Sequence, residues 1–316
     1  MPNPVLNPPN SLSAGVVQTG QSVSAVDTAV AQLLALAIPD GSLVPSLPVD
    51  VQQTRSDTQL WTSQYRSVAI SALDGVVNFS GTFDSFYAQL VPLADALASG
   101  DKTAKSQFNQ LLKQLRAATQ TQAQAAEWVA QQLTSYDLTL QADLATLHGD
   151  NDALLKIAQT QHQIALAAKQ TADMLNQEIE QLRGKVLLAY IQGRYALAEL
   201  DQLINILTGN VYKLQEQQYQ ANATASHAQQ QATAASSEAA SVQQYQSNLN
   251  GLQSAINQLV NGWAVMDADF GVLEQAEKIH SYGAWTPSLL KAAMLDWNVL
   301  AAQAQAILDE LQGVSV

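Results

Sequence analysis

The sequence predicts an all-α protein: an elongated antiparallel four- or five-helix bundle with two very long helices and a small head at the hairpin tip. Three observations carry this expectation. Large apolar side chains recur three or four residues apart through most of the 316 residues, which is the spacing of one helical face and not the alternation of a strand. No proline occurs between Pro92 and Pro287, so no residue in that span lacks the backbone donor a helix needs. Gln and Ala fill segments such as TQTQAQAAEWVAQQL and HAQQQATAASSEAAS, and both residues favour or tolerate helix.

The Pro-rich opening through Pro9 reads as an arm, flexible or laid over the body. A first helix is expected from about Ser11 to Ile38, with Val16, Val23, Val30, Leu33 and Leu34 inward. Pro39, Pro45 and Pro48, with Gly41, then break it into a crossover. The next stripe runs Trp61, Tyr65, Val68, Ala72, Val76, Phe79, Phe83, Phe86, Leu90 and Leu93, and should stop near Ser99 and Gly100.

Asp101 is a natural N-cap for the following helix, because its carboxylate can accept from an unpaired backbone donor. From there Phe108, Leu111, Leu115, Ala118, Gln122, Ala125, Val129, Leu133, Tyr136, Leu140 and Leu147 form a near-heptad. It resumes at Leu154 and continues through Ala168, Thr171, Leu175, Ile179 and Leu182. The HGDND stretch from His148 is expected to kink or fray it. A single helix from Asp101 to Gln181 would be on the order of 120 Å long and would need a partner of similar length. That partner is expected between Val211 and Lys278, where Val242, Tyr245, Leu249, Leu252, Ile256, Leu259, Trp263, Met266, Phe270 and Leu273 keep the period without a miss. Between Gln217 and Ser237 large apolar residues nearly vanish, and packed Ala-rich helix is preferred there over a linker. Thr286 as N-cap and Pro287 at the first helical position start a last helix, with Leu290, Met294, Trp297, Ala301, Ala304, Ile307, Leu308 and Leu311 inward.

This order divides the chain into a first bundle part at 1–183, a short tip insertion at 184–210 and a second bundle part at 211–316. The tip carries Val186, Leu187, Leu188, Tyr190, Ile191, Tyr195, Leu197, Leu203, Ile204, Ile206 and Leu207 as candidate membrane- or partner-contacting residues. Lys185, Arg194, Glu199 and Asp201 interrupt it, so it is not a ready-made membrane span of about 20 apolar residues. A helical cap, a protein docking surface and interfacial membrane contact are the three readings it supports.

Charge and motifs exclude other classes. Lys+Arg 14 against Asp+Glu 27 gives a net charge of -13, with the basic residues scattered singly, so there is no positive stripe to displace counterions from nucleic acid. With no cysteine there is no disulfide scaffold or thiolate metal site. The start has neither a basic region nor an apolar run of a signal peptide. No phosphate-binding, dinucleotide, zinc-protease or nucleophile-elbow motif occurs, so no catalytic, metal or cofactor residue is expected. His148, His162, His227 and His280 lie far apart, and the acidic groups Asp150 with Asp152 and Asp267 with Asp269 read as solvated.

The order of elements resembles the haemolysin BL and non-haemolytic enterotoxin family, within the cytolysin A-like group of alpha-helical pore-forming toxins. The residues that carry the likeness are AQLLALAIPD with the crossover after it, WTSQY from Trp61, FDSFYAQLVPLADALASGDKTAKSQFNQLLKQL, LNGLQSAINQLVNGWAVMDADFGVLEQAEKI, and SLLKAAMLDWNVLAAQAQAIL from Ser288. The resemblance implies a secreted, non-enzymatic protein with a five-helix tail and a head between its longest helices. It implies a monomeric soluble form, homologous toxin components as partners and target-cell membrane lipid as the surface on which they assemble. Lytic members carry a long apolar hairpin or β tongue where Gly184 to Gly209 falls here. This insertion is short and charged, similar to the less hydrophobic component of a multi-part toxin. The reading that owes nothing to the resemblance is a coiled-coil scaffold or binding protein that never meets a membrane.

Overall fold

The computed structural model describes residues 6–191, 198–278 and 286–313, and among these every regular element is helical. The helices are α1 (Asn10–Ala35), α2 (Leu47–Leu60), α3 (Arg66–Ala98), α4 (Lys102–Ile191), α5 (Ala198–Lys278) and α6 (Pro287–Gly313). A π turn at Trp61–Tyr65 joins α2 to α3, so five helical runs are present among the described residues. The all-α class and the two very long helices stand as read from the spacing.

The caps follow the local chemistry. The Pro9 carbonyl accepts from the Leu12 and Ser13 amides at the start of α1. Gly100, at φ 87, closes α3, a left-handed conformation in which a Cβ would be strained. Asp101 Oδ1 accepts from the Thr103 amide at 2.7 Å, and Thr286 Oγ1 accepts from the Leu289 amide at 3.3 Å. Some boundaries differ from the sequence reading. The first helix stops at Ala35, and Pro48 lies inside the first turn of α2 instead of breaking the chain. An amide in that turn has no intrahelical acceptor, so proline costs nothing there. The HGDND stretch does not fray, since α4 runs through it without interruption. Gly149 and Asp150 keep helical backbone because Leu147 and Leu154 on either side are both fully buried.

The chain forms two compact units. Unit 1 comprises Met1–Leu36, Gln53–Leu144 and Ser241–Val316; unit 2 comprises Ala37–Gln52 and Ala145–Ala240. Both draw on α4 and α5. The core of unit 1 is continuous from Leu12 through Phe79, Tyr136, Trp263 and Trp297, and α4 and α5 are antiparallel there, since Arg116 pairs with Asp267 and Tyr136 with Tyr245. All ten positions of the α5 series from Val242 to Leu273 are buried. On α4 the buried stripe drifts by one residue: Ala126 and Ala172 are inside while Ala125 and Thr171 are exposed, as expected when 3.6 residues per turn slip against a seven-residue template. In unit 2 small side chains do the packing, with Ala165, Ala168, Ala221, Ala228, Ala232 and Ala235 buried. The Gln217–Ser237 stretch is therefore helix, with an alanine face for its core contact.

Two features of unit 1 have no signature in the apolar period. Helix α1 lies so close to α5 that a Cβ on Gly262 would stand 3.0 Å from both Cα and N of Leu12, and one on Gly15 would stand 3.0 Å from the Leu259 amide nitrogen. Gly262→Val is expected to push α1 away and destabilise unit 1 by about 1–3 kcal/mol, measured as a lower denaturant midpoint.

The second feature is the π turn. In an α-helix Trp61 and Arg66 would project about 140° apart; the wider turn, with the Arg66 amide on the Trp61 carbonyl, brings both to one side. Trp61 Nε1 donates to Asp27 Oδ1 at 2.7 Å, Arg66 Nε reaches both Asp27 oxygens at 3.0 Å, and Arg66 Nη2 donates to the Leu311 carbonyl at 2.6 Å. One carboxylate of α1 thus ties the π turn, and through Arg66 the end of α6. Beside it the Tyr136 hydroxyl donates to the Asp57 carbonyl at 2.9 Å and accepts from Tyr245, 2.5 Å away. Burial pushes both phenols above their ordinary range.

Candidate functional site at the α4–α5 junction

The junction is built by two helix ends of unit 2. Helix α4 carries Val186, Leu187, Leu188, Tyr190 and Ile191; α5 carries Leu203, Ile204, Ile206 and Leu207. Tyr195 and Leu197 lie outside the described residues, and of Tyr190 only the backbone is described. The apolar set divides by helical phase. Ile204 and Leu207 turn inward and pack, with Leu175 and Leu214, on Ala172, Ile179 and Val211. Val186 is half-buried. The others face out: Leu187 is 61% exposed, Leu188 59%, Ile191 71% and Ile206 54%, with Leu203 also exposed.

Leu187, Leu188 and Ile191 stand on neighbouring positions of one α4 face, i, i+1 and i+4. An exposed leucine alone is ordinary, but several large apolar side chains gathered on one face make a candidate contact surface. The charged neighbours are weakly engaged: Arg183 Nη1 meets Glu180 at 2.8 Å with both side chains mostly exposed, which contributes little to stability. The sequence reading missed Met174, Tyr212 and Tyr219, exposed on the same two helices. The usable signal was phase, since Met174 precedes Leu175 and Tyr212 follows Val211 of the buried stripe. No described helix is long and apolar enough to cross a membrane.

The other sequence-flagged groups do not converge. Among the described residues no cluster of three metal-capable side chains occurs; His148 and His162 are exposed, and His280 lies outside the described residues. Asp150, expected to be solvated, is buried and accepts from Ser46 Oγ at 2.8 Å, because the crossover covers that turn of α4. Asp267 and Asp269 have opposite surroundings. Hydrogen bonds from Arg116 and Gln120 hold the Asp267 carboxyl below its ordinary range, whereas desolvation raises that of Asp269.

Comparison with known proteins places this geometry. Residues 32–187 match the family described as Bacillus haemolytic enterotoxin (HBL). No curated protein sequence matches. Among solved structures, the Bacillus cereus HblL1 toxin component is similar at 14% identity and a TM-score of 0.66, over 96% of this chain and 97% of that one. SmhA of the tripartite alpha-pore forming toxin of Serratia marcescens gives 16% and 0.63 over 98% and 96%. The pore of AhlB, from the tripartite toxin of Aeromonas hydrophila, gives 14% and 0.60 over 97% and 98%. Residues 32–187 thus match the Bacillus haemolytic enterotoxin (HBL) family model, within a chain whose fold is similar over nearly all its length to that of solved tripartite-toxin components.

Proposed function

We propose that this protein is the soluble component of a multi-part alpha-helical pore-forming toxin, and that it acts by assembling with homologous components on a target membrane. The observation that supports this reading is the length of the fold correspondence, which runs over nearly all of this chain and nearly all of HblL1, SmhA and AhlB. AhlB has been captured in soluble, pre-pore and pore forms, and the reading for this chain is that assembly exchanges internal for intermolecular contacts. Such an exchange needs a second environment that buries the same apolar surface better.

The exposed side chains of Leu187, Leu188, Ile191, Leu203 and Ile206 are the contact surface in this reading, with Val186 half-buried beside Leu187 and Ile204 and Leu207 packed inward. Its shortness and its charged neighbours give this chain the role of the less hydrophobic component, a monomer before assembly, which completes a pore that a more apolar partner begins. The protein is secreted in this reading and reaches the target-cell membrane through assembly. No enzymatic step is involved. Dye release from lipid vesicles tests it: the chain alone is expected to release little, and release should rise when the homologous components encoded beside it are added. Absence of both leakage and co-assembly in every combination overturns the reading.

A further inference from the structure

Residues 6–9 of unit 1 meet α6 as non-helical chain, and of the four only Leu6 is buried. Its side chain joins the unit 1 core, and its carbonyl accepts from the indole Nε1 of Trp297 at 3.0 Å. Asn7 Nδ2 donates to Asp296 Oδ2 at 2.6 Å in an exposed contact. Pro8 and Pro9 have no backbone N–H to add. The indole that Leu6 satisfies is fully buried, with its ring centroid 4.7 Å from that of Phe79, 5.9 Å from Trp263 and 6.0 Å from Phe83.

Helix α1, which follows, is fastened differently. The Pro9 carbonyl caps its first turn, and Leu12 and Gly15 meet α5 at backbone distance, against Gly262 and Leu259. The break between weakly and tightly held chain therefore falls at Pro9, and residues 6–8 can lift there while α1 stays in place. Beside them an open cleft of about 510 Å³ runs between α5 and α6, where Asn7 and Pro8 border Val265, Asp296 and Val299. Both valines are exposed, so an incoming chain has apolar footing next to the seat of Leu6.

We infer that residues 6–9 are an exchangeable strap, and that the seat on Trp297 takes an extended apolar segment of a homologous component in their place during assembly. This rests on the multi-component reading above. The seat selects its occupant by chemistry. A buried indole N–H needs an acceptor, and the carbonyls inside a helix are already engaged by their own amides, so the segment must be extended where it meets Trp297. It must also supply one apolar side chain to fill the place of Leu6. Because an empty seat leaves the indole unsatisfied, the strap stays down in the lone chain and leaves only when a replacement arrives.

The chain has no cysteine, so thiols placed in the full-length protein report on the strap alone. Leu6→Cys and Leu12→Cys remove the same side chain from two buried positions, with denaturant midpoints as the control for folding. Iodoacetamide should label Cys at position 6 at least about a hundredfold faster than at position 12, because a strap opens locally and α1 only with the bundle; the homologous components should raise the first rate further. Asn7→Cys with Asp296→Cys, tied by a short thiol-to-thiol linker, should lower co-assembly by about tenfold or more relative to the untied double variant. Equal labelling at the two positions, or tied and untied chains that co-assemble alike, overturns the strap. Failure of the untied chain to co-assemble refutes the multi-component reading and the exchange with it, whereas the labelling contrast stands or falls by itself.

Discussion

Asp27→Ala is expected to cost about 3 kcal/mol of unit 1 stability, near the lower end of the effect of removing one partner of a buried ion pair. The Asp27 and Arg66 side chains are only 8% and 15% exposed, so the guanidinium left behind keeps its desolvation penalty and loses its counter-charge. The indole Nε1–H of Trp61, fully buried, loses its acceptor as well, and an unsatisfied buried donor is itself costly. Because Arg66 also donates to the Leu311 carbonyl, the end of α6 should loosen with it. Chemical denaturation followed by tryptophan fluorescence reads the loss, and exchange at residues 305–313 reads the loosening. Asp27→Asn retains one acceptor oxygen and should lose less. A midpoint unchanged by Asp27→Ala would show that the π turn is held by packing alone.

Paired substitution of Leu187→Asp and Ile191→Asp should abolish partner- or membrane-dependent activity with the fold intact. Both side chains are exposed, and exposed substitutions change stability by about 0.5 kcal/mol or less. A carboxylate driven into hydrocarbon or a dry interface costs about 3 kcal/mol by insertion scales, so two of them should weaken association by at least a hundredfold, taking about 1.4 kcal/mol per tenfold. Vesicle leakage and co-sedimentation with the homologous components measure the loss, and circular dichroism measures the fold. If the junction is only a cap, the pair will lower the melting temperature and leave leakage unchanged, and the contact-surface assignment falls. Ile204→Asp provides the contrast: packed on Ala172, Ile179 and Val211, it should lose stability first.

The helices were legible because their information is local and periodic. Each member of the α5 series from Val242 to Leu273 is inside, since a side chain spaced by three or four has one face to occupy whatever it meets there. The caps at Asp101 and Thr286 were legible for the same reason: the acceptor lies two or three residues from the donor it satisfies. The candidate surface was half legible. Composition marked the segment, but its apolar residues alone did not tell Ile204 and Leu207, which pack inward, from Leu203 and Ile206, which face out. That choice follows from the phase at which α5 meets α4, and a shift of one residue reverses it.

The sequence by itself determined the helical class, the presence of two very long helices, the order of the elements and the absence of catalytic motifs, because these depend on spacing and residue type along one chain. The tertiary structure alone decided which polar groups work together. Asp27 with Trp61, Arg66 and the Leu311 carbonyl, Asp150 with Ser46, and Gly262 under Leu12 are contacts between residues more than thirty positions apart. Hydrogen bonds and close backbone approach depend on distance to a few tenths of an ångström, and only the packed helices set such distances.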